Sequence, residues 1–458
     1  MTTIIERYEE LHPGSRRLHE RAAKFLPDGV THDIRYFQPF PLYVDHAQGA
    51  HKWDVDGNEI IDYIMGHGAL LLGHNHPHVQ EAIAWQLERG THYGASQELE
   101  IVWAERVHQL VPSADVVRFT SSGTEATMMA VRLARAYTGR KTLVRFALHF
   151  HGWNDNVVGS PDREGVHPHA LGVPDETLGN VVVIPQNDSE TLRQTLRDYE
   201  VAALILEPTG ASWGTVPLDP EQLPFLREAT REAGALLVFD EVVTGFRVAP
   251  GGVQDASDVL PDITTLAKIL AGGLPGGAVA GRRDIMSQIE FTGGGRGDFA
   301  GRIPHPGTFN ANPLSAAAGS TALGIVTTGE PNRHADALCQ TLVRGLNQTM
   351  REEGMPGCAY GHASMFHLVL GAECPPPIDN FSWDWQDRPG AKMPPMAGEV
   401  FWSLRRGMLN EGADLMGPGG MLSSAHSEED VARTLEAFAT TLRAMKAEGT
   451  LQAAGTAP

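Results

Sequence analysis

The feature that most restricts the fold of this 458-residue chain lies in its middle, where short apolar runs alternate with longer stretches of helix-forming residues. The runs are Val116–Phe119, Thr142–Phe146, Val181–Ile184, Ala202–Glu207, Ala235–Asp240, Ile263–Leu266 and Gly277–Gly281. Between them, Glu125–Tyr137, Glu190–Tyr199 and Glu221–Ala233 are rich in Ala, Leu, Arg and Glu. A strand wetted on one face alternates apolar and polar residues, whereas an unbroken apolar run must be covered on both faces. Such strands separated by helices predict an α/β fold built on a mostly parallel sheet with helices on either side.

The flanks read differently. Leu18, Ala22 and Phe25 recur at helical spacing after a candidate cap at Ser15. Leu42–Val44 and Lys52–Trp53 then flank turn residues, and Asp56-Gly57 turns the chain toward Ile60–Tyr63. Residues 1–65 are expected to form an N-terminal arm and part of a small domain, and 66–325 a large domain. Residues 326–446 form a smaller α+β unit in this reading, and 447–458 a disordered tail. The glycine-rich stretch 292–306 reads as a mobile loop.

A formal charge of −20 argues against a nucleic-acid partner or an anionic membrane surface. No apolar run approaches the ~18 residues of a membrane span, and the N-terminus lacks a signal-peptide pattern. Cys339, Cys358 and Cys374 show no paired spacing, which predicts a reducing, cytoplasmic setting without a disulfide or zinc framework.

In a sheet of this kind, ligands bind beyond the carboxyl ends of the strands. Candidate segments fall at those ends. Thr120-Ser121-Ser122-Gly123-Thr124-Glu125 offers hydroxyls and helix N–H groups to an anion. Phe150-His151-Gly152 supplies a ring that could stack on a planar ligand. Asp240-Glu241-Val242 places a carboxylate at a buried strand tip, where a positive partner is needed. Lys268 sits in an apolar run followed by glycines, where desolvation turns an amine into a nucleophile. Singly, each has an ordinary reading: an N-cap, a core aromatic, a pair with Arg247, a lysine snorkelling to solvent. Together they are what pyridoxal 5′-phosphate (PLP) requires: a phosphate cup, a stacking ring, a counter-ion for a pyridine nitrogen and an amine for an aldehyde.

Their order, with Gly307-Thr308-Phe309 further on, resembles the class III aminotransferases of PLP fold type I over nearly the whole chain. The resemblance implies that Ser122, Gly123 and Thr124 bind the phosphate, and that Phe150 stacks on the ring. It makes Asp240 the partner of the pyridine nitrogen and Lys268 the Schiff-base lysine and proton shuttle. His151, Glu207 and Val242 join the cofactor-binding candidates from the same motifs. Thr308 is implied to reach the phosphate of a neighbouring subunit, which makes the enzyme a homodimer with shared sites.

Pro27-Asp28-Gly29-Val30-Thr31 with Arg35, and Thr244–Val248, resemble the glutamate-1-semialdehyde aminomutase branch. After Glu207-Pro208, ornithine- and GABA-type enzymes carry a glutamate that gates an arginine. Here Ala211-Ser212-Trp213 stands there, and Met421–His426 holds no arginine. Arg35 is then the candidate for a substrate carboxylate and Trp213 for a pocket wall. The regions around Pro27–Thr31, Asp45–Asp56, Gly66–Leu70 and Gly272–Gly277 resemble the D-phenylglycine aminotransferases most. The expected function is therefore transfer of an amino group from an amino acid, D-configured or aromatic, to an oxo acid such as 2-oxoglutarate. The alternative is intramolecular transfer, as in the aminomutases. No metal is expected: Asp54-Val55-Asp56-Gly57 lacks the closing glutamate of a calcium loop, and Gly73-His74-Asn75-His76-Pro77 reads as a structural loop of the family.

Overall fold

The apolar runs of the middle region are strands: β1 (Val116–Thr120), β2 (Thr142–Phe146), β3 (Val181–Ile184), β4 (Val201–Leu206), β5 (Leu236–Asp240), β6 (Ile263–Ala267) and β7 (Gly277–Gly281). The computed structural model describes residues 2–161, 168–219, 221–293, 301–372, 374, 396 and 398–452. The strands form one sheet in the order β1-β7-β6-β5-β4-β2-β3. All neighbours are parallel except β7, which runs antiparallel to β1 and β6. Because β7 reverses twice, β1 still points the same way as β4, β5 and β6, and their carboxyl ends share one edge.

Alternate residues of each strand enter opposite cores. Ala203, Ile205, Leu236 and Val238 pack with Met129 and Leu133 of helix α1 (Gly123–Thr138). Leu204, Leu206, Leu237 and Phe239 pack with Leu223 and Leu226 of helix α2 (Gln222–Ala233). Strands β3 to β7 are buried at every position, which is why they read as unbroken apolar runs. Among the helices of this unit not expected from the sequence are three longer ones, Pro77–Leu87, Glu98–Leu110 and Pro313–Val326.

Among the described residues, 77–332 make up this compact unit, and 2–76 with those beyond 332 make up the other. The second unit holds a sheet of Val44–Gln48, His51–Asp54, Glu59–Asp62 and Ala413–Asp414, and another of Gly357–His362, Met365–Leu370 and Gly419–Met421. Three of the sequence expectations here need correction. The early helix runs Pro13–Ala22, and Ser15 lies inside it, buried, accepting from the Tyr43 N–H at 3.0 Å. The helix start is capped from afar by Asp56, which accepts from the N–H groups of Gly14 and Ser15. Phe25 is outside the helix and 80% exposed. Cys358 and Cys374 form a disulfide, their Cα atoms 6.1 Å apart. The hairpin that pairs Cys358 with Val369 turns the chain back and brings Cys374 alongside, a closeness that a spacing of 16 does not advertise. Residues 294–300 of the glycine-rich stretch and 453–458 of the predicted tail lie outside the described residues. Among the described residues, no helix is long and apolar enough to cross a membrane.

Candidate active site

The site is assembled on the edge where β1, β4, β5 and β6 end. Lys268 is the first residue after β6 and is held at φ 54°, a left-handed conformation that costs a non-glycine residue of order 1–3 kcal/mol. Its side chain is half-buried. Desolvation lowers its pKa below the usual lysine value; the charges of Asp240 and Glu207 oppose that shift and Arg247 adds to it. The result is an amine easier to deprotonate than a surface lysine, as nucleophilic attack on an aldehyde demands.

Asp240, the last residue of β5, is 4% exposed. Its Oδ2 lies 2.7 Å from Nδ1 of His151, and its Oδ1 accepts from the Val242 N–H at 3.2 Å and the Thr265 hydroxyl at 3.1 Å. Neither Thr265 nor this role of His151 is signalled by the sequence, because 89 residues separate His151 from Asp240. Among the described residues, the buried His151 Nε2 has no hydrogen-bond partner.

Helix α1 starts where β1 ends. The Ser122 hydroxyl accepts from the Glu125 N–H at 3.2 Å, and Glu125 accepts in return from the Ser121 N–H at 2.6 Å. This caps the helix but leaves the Ser122 hydroxyl hydrogen, and the first-turn N–H groups of Gly123 and Thr124, to meet an anion. The loop after β2 is fastened to the same helix: the Thr127 hydroxyl donates to the His151 carbonyl at 2.7 Å. Gly152, at φ 88°, passes so close that a Cβ there would lie 2.5 Å from the Thr124 hydroxyl. Val242 abuts the helix start, its methyls 3.0 Å from where a Cβ on Gly123 would stand.

Phe150 keeps 67% of its surface exposed although its N–H is fixed to Glu207 at 2.9 Å. Glu207, just beyond β4, also accepts from the N–H groups of Ser212 and Trp213. Trp213 is half-buried. Thr308 is on an exposed loop of the same unit, its carbonyl accepting from His92 at 2.7 Å. Arg35 belongs to the other unit, where it is exposed, donates to the Thr31 hydroxyl at 2.8 Å and lines a cavity of about 580 Å³ with Ile34, His67 and Arg405.

The structure also accounts for groups that resemble metal ligands. His12, Asp54 and Asp56 converge, but Asp54 accepts from His12 and from Asp56 and Asn58 N–H groups, and Asp56 caps a helix. His74 pairs with Asp62 at 2.8 Å.

A desolvated lysine, a buried carboxylate and a capped helix start with free N–H groups, gathered at the strand ends of such a sheet, define a PLP enzyme of fold type I. The chain belongs to the class-III aminotransferase family, whose model matches residues 35–363. It is 37% identical to the glutamate-1-semialdehyde 2,1-aminomutase of Methanopyrus kandleri, over 94% of this chain and 97% of that one. Among solved structures it is similar to an omega-transaminase from Sphaerobacter thermophilus, at 35% identity with a TM-score of 0.84, covering 94% of this chain and 98% of that one. It is also similar to a transaminase with PLP bound, at 33% identity with a TM-score of 0.85, covering 96% and 99%.

These relatives overturn one expectation. Intermolecular transfer from a D-configured or aromatic donor is not what the curated relatives carry out: six of them, 37–41% identical, are glutamate-1-semialdehyde 2,1-aminomutases. The lysine, carboxylate and phosphate cup expected from the sequence would serve both chemistries. Trp213 and the lack of an arginine in Met421–His426 argue against a gate of the ornithine type, and that reading does not bear on whether the amino group leaves the skeleton.

Proposed function

We propose that the chain is a glutamate-1-semialdehyde 2,1-aminomutase, moving an amino group between neighbouring carbons of one substrate to give 5-aminolevulinate. The observation that carries this reading is the identity to such enzymes along almost the whole length of both chains.

When bound, PLP supplies an aldehyde to hold an amino group and a ring to withdraw electrons from the adjacent carbon. The protein's residues do the rest. Ser122, with the N–H groups of Gly123 and Thr124, takes the phosphate at the positive end of α1. Phe150 covers one face of the ring, and Val242 sits against the cup. Asp240, held on one side by His151 and on the other by Thr265, keeps the pyridine nitrogen protonated. Lys268 would hold the aldehyde through its amine and, once released, would take and return the proton of the substrate carbon that bears the amino group, a task matched to its lowered pKa. Arg35 takes the substrate carboxylate as a bidentate clamp, and Trp213 forms a wall of the pocket. Two copies form a homodimer in which Thr308 reaches the partner's phosphate.

The experiment supplies purified, PLP-loaded protein with glutamate-1-semialdehyde and no oxo acid. Steady formation of 5-aminolevulinate is expected. Turnover that requires an oxo-acid acceptor would refute the proposal.

A further inference from the structure

Among the described residues, Glu207 accepts only from backbone N–H groups. Its Oε1 accepts from Phe150 at 2.9 Å and Ser212 at 2.9 Å, and its Oε2 from Trp213 at 2.8 Å. Among the described residues no cation pairs with it. Burial, the largest influence, pushes its pKa up; the charge of His151 and then the N–H donors work against that shift. The two segments it joins are far apart along the chain, Ser212 lying 64 residues from Leu148. One ends in Phe150, whose ring projects with 67% of its surface exposed. The other is a tight turn in which Ser212 and Trp213 both adopt left-handed backbone, at φ 49° and 52°. Non-glycine residues hold such angles only where their surroundings over-determine them, and the carboxylate is the group that fixes both N–H vectors. A second tie, from the Ser212 hydroxyl to the Leu148 carbonyl at 3.2 Å, runs between the same two segments.

We propose that Glu207 is a positioning residue for substrate recognition: a single carboxylate clamps the turn that presents Trp213 to the loop that presents Phe150, and so sets the width between ring support and pocket wall. The inference rests on the roles proposed above for Phe150 and Trp213. A carboxylate suits the task because all three partners donate. The amide of a glutamine would turn an NH₂ group against one of them and leave an N–H unsatisfied. The clamp contributes no proton and touches no reacting atom; it acts through the backbone.

The test is hydrogen exchange by mass spectrometry on wild type and Glu207→Gln, in apo and PLP-loaded forms, with steady-state kinetics on the loaded protein. In wild type the Phe150, Ser212 and Trp213 amides exchange slowly even without cofactor. In Glu207→Gln both segments exchange at least tenfold faster while α1 and β4 keep their protection. KM for the semialdehyde rises at least fivefold, and kcat changes less. Protection kept in either segment overturns the proposal. So does protection lost from both with KM unchanged, which would make Glu207 a structural brace. Glu207→Asp, whose charge is kept but stops one methylene short, is read by the same criteria if the glutamine variant does not fold. Failure of the cofactor assignment is visible separately, as apo protein that takes up no PLP while its amide result stands.

Discussion

His151 and Asp240 meet at 2.7 Å at the edge of the sheet, an imidazole nitrogen against a carboxylate oxygen, both almost wholly buried. Such a contact orients the carboxylate and keeps it supplied with a donor on the side away from Thr265. Removing Asp240 deletes the group that would hold a protonated pyridine nitrogen, and breaking a buried charge pair costs roughly 3–5 kcal/mol. Asp240→Ala is expected to slow turnover by roughly 10²–10⁴. His151→Ala, which leaves Asp240 with its remaining partners, is expected to cost roughly 1–3 kcal/mol, or about five- to 150-fold. Steady-state rates of the PLP-loaded variants check both; an Asp240 variant within threefold of wild type contradicts the role.

Two tasks are proposed for Lys268, and one substitution separates them from binding. Lys268→Ala is expected to abolish turnover, because the amine that holds the aldehyde and moves the proton is gone. The start of α1 is untouched, so equilibrium dialysis should still find PLP on the protein, more weakly held. Near wild-type rates in this variant would remove Lys268 from the mechanism.

Ser122 is both a helix cap and a phosphate candidate, and the two can be pulled apart. Ser122→Ala should lower apo stability by roughly 0.5–2 kcal/mol. Ser122→Asp keeps a good cap and adds a negative charge at the positive end of the helix, so the apo protein should melt no lower than wild type. The same charge faces the phosphate, and PLP affinity should fall at least tenfold. Apo melting curves and PLP titrations read the two effects independently. Unchanged PLP affinity in the aspartate variant would place the phosphate elsewhere.

Legibility followed burial. Strands β3 to β7 announced themselves because a sheet covered on both faces leaves apolar runs with no polar interruption. The helix Pro313–Val326 did not, since ten of its residues are buried and apolar contrast around its axis is lost. The cap supplied by Asp56 to residues 14 and 15, and the contact of His151 with Asp240, are products of tertiary folding with no local trace. The disulfide was missed for the same reason. The choice between two amino-transfer chemistries failed for another: it depends on what happens to the substrate, and the residues that read most clearly serve both outcomes.

Thr308 tests the shared site. Its side chain lies on an exposed loop, with its carbonyl tied to His92. If its hydroxyl completes the partner's phosphate cup, Thr308→Ala should weaken PLP retention by roughly 1–2 kcal/mol. Sedimentation should show a dimer, with activity falling as dilution separates the subunits. A fully active monomer would rule the sharing out.

His149 gives the pH dependence of stability. Its Nδ1 accepts from the Glu207 N–H at 2.9 Å, which obliges the proton to sit on Nε2, where it donates to Gln186 at 2.8 Å. Protonating Nδ1 would set two N–H groups against each other. Burial, aided by the charges of His151 and Arg145, lowers its pKa to about 3. The unfolded value is about 6.5, so below that pH the unfolded chain binds a proton that the folded chain refuses. Stability from this group is therefore complete above about pH 6.5 and is lost as pH falls toward 3, at up to roughly 1.4 kcal/mol per pH unit. His426, in the other unit, is lowered to about 4, chiefly by burial, and acts in the same direction. Unfolding free energies of the apo protein at pH 7, 6 and 5 should therefore fall with acidity. In His149→Asn the absolute stability is lower, but the decline between pH 6 and 5 should be shallower than wild type by roughly 1 kcal/mol. Parallel declines in the two proteins would mean that His149 takes up its proton without unfolding the chain, and that its Nδ1 is not locked to Glu207.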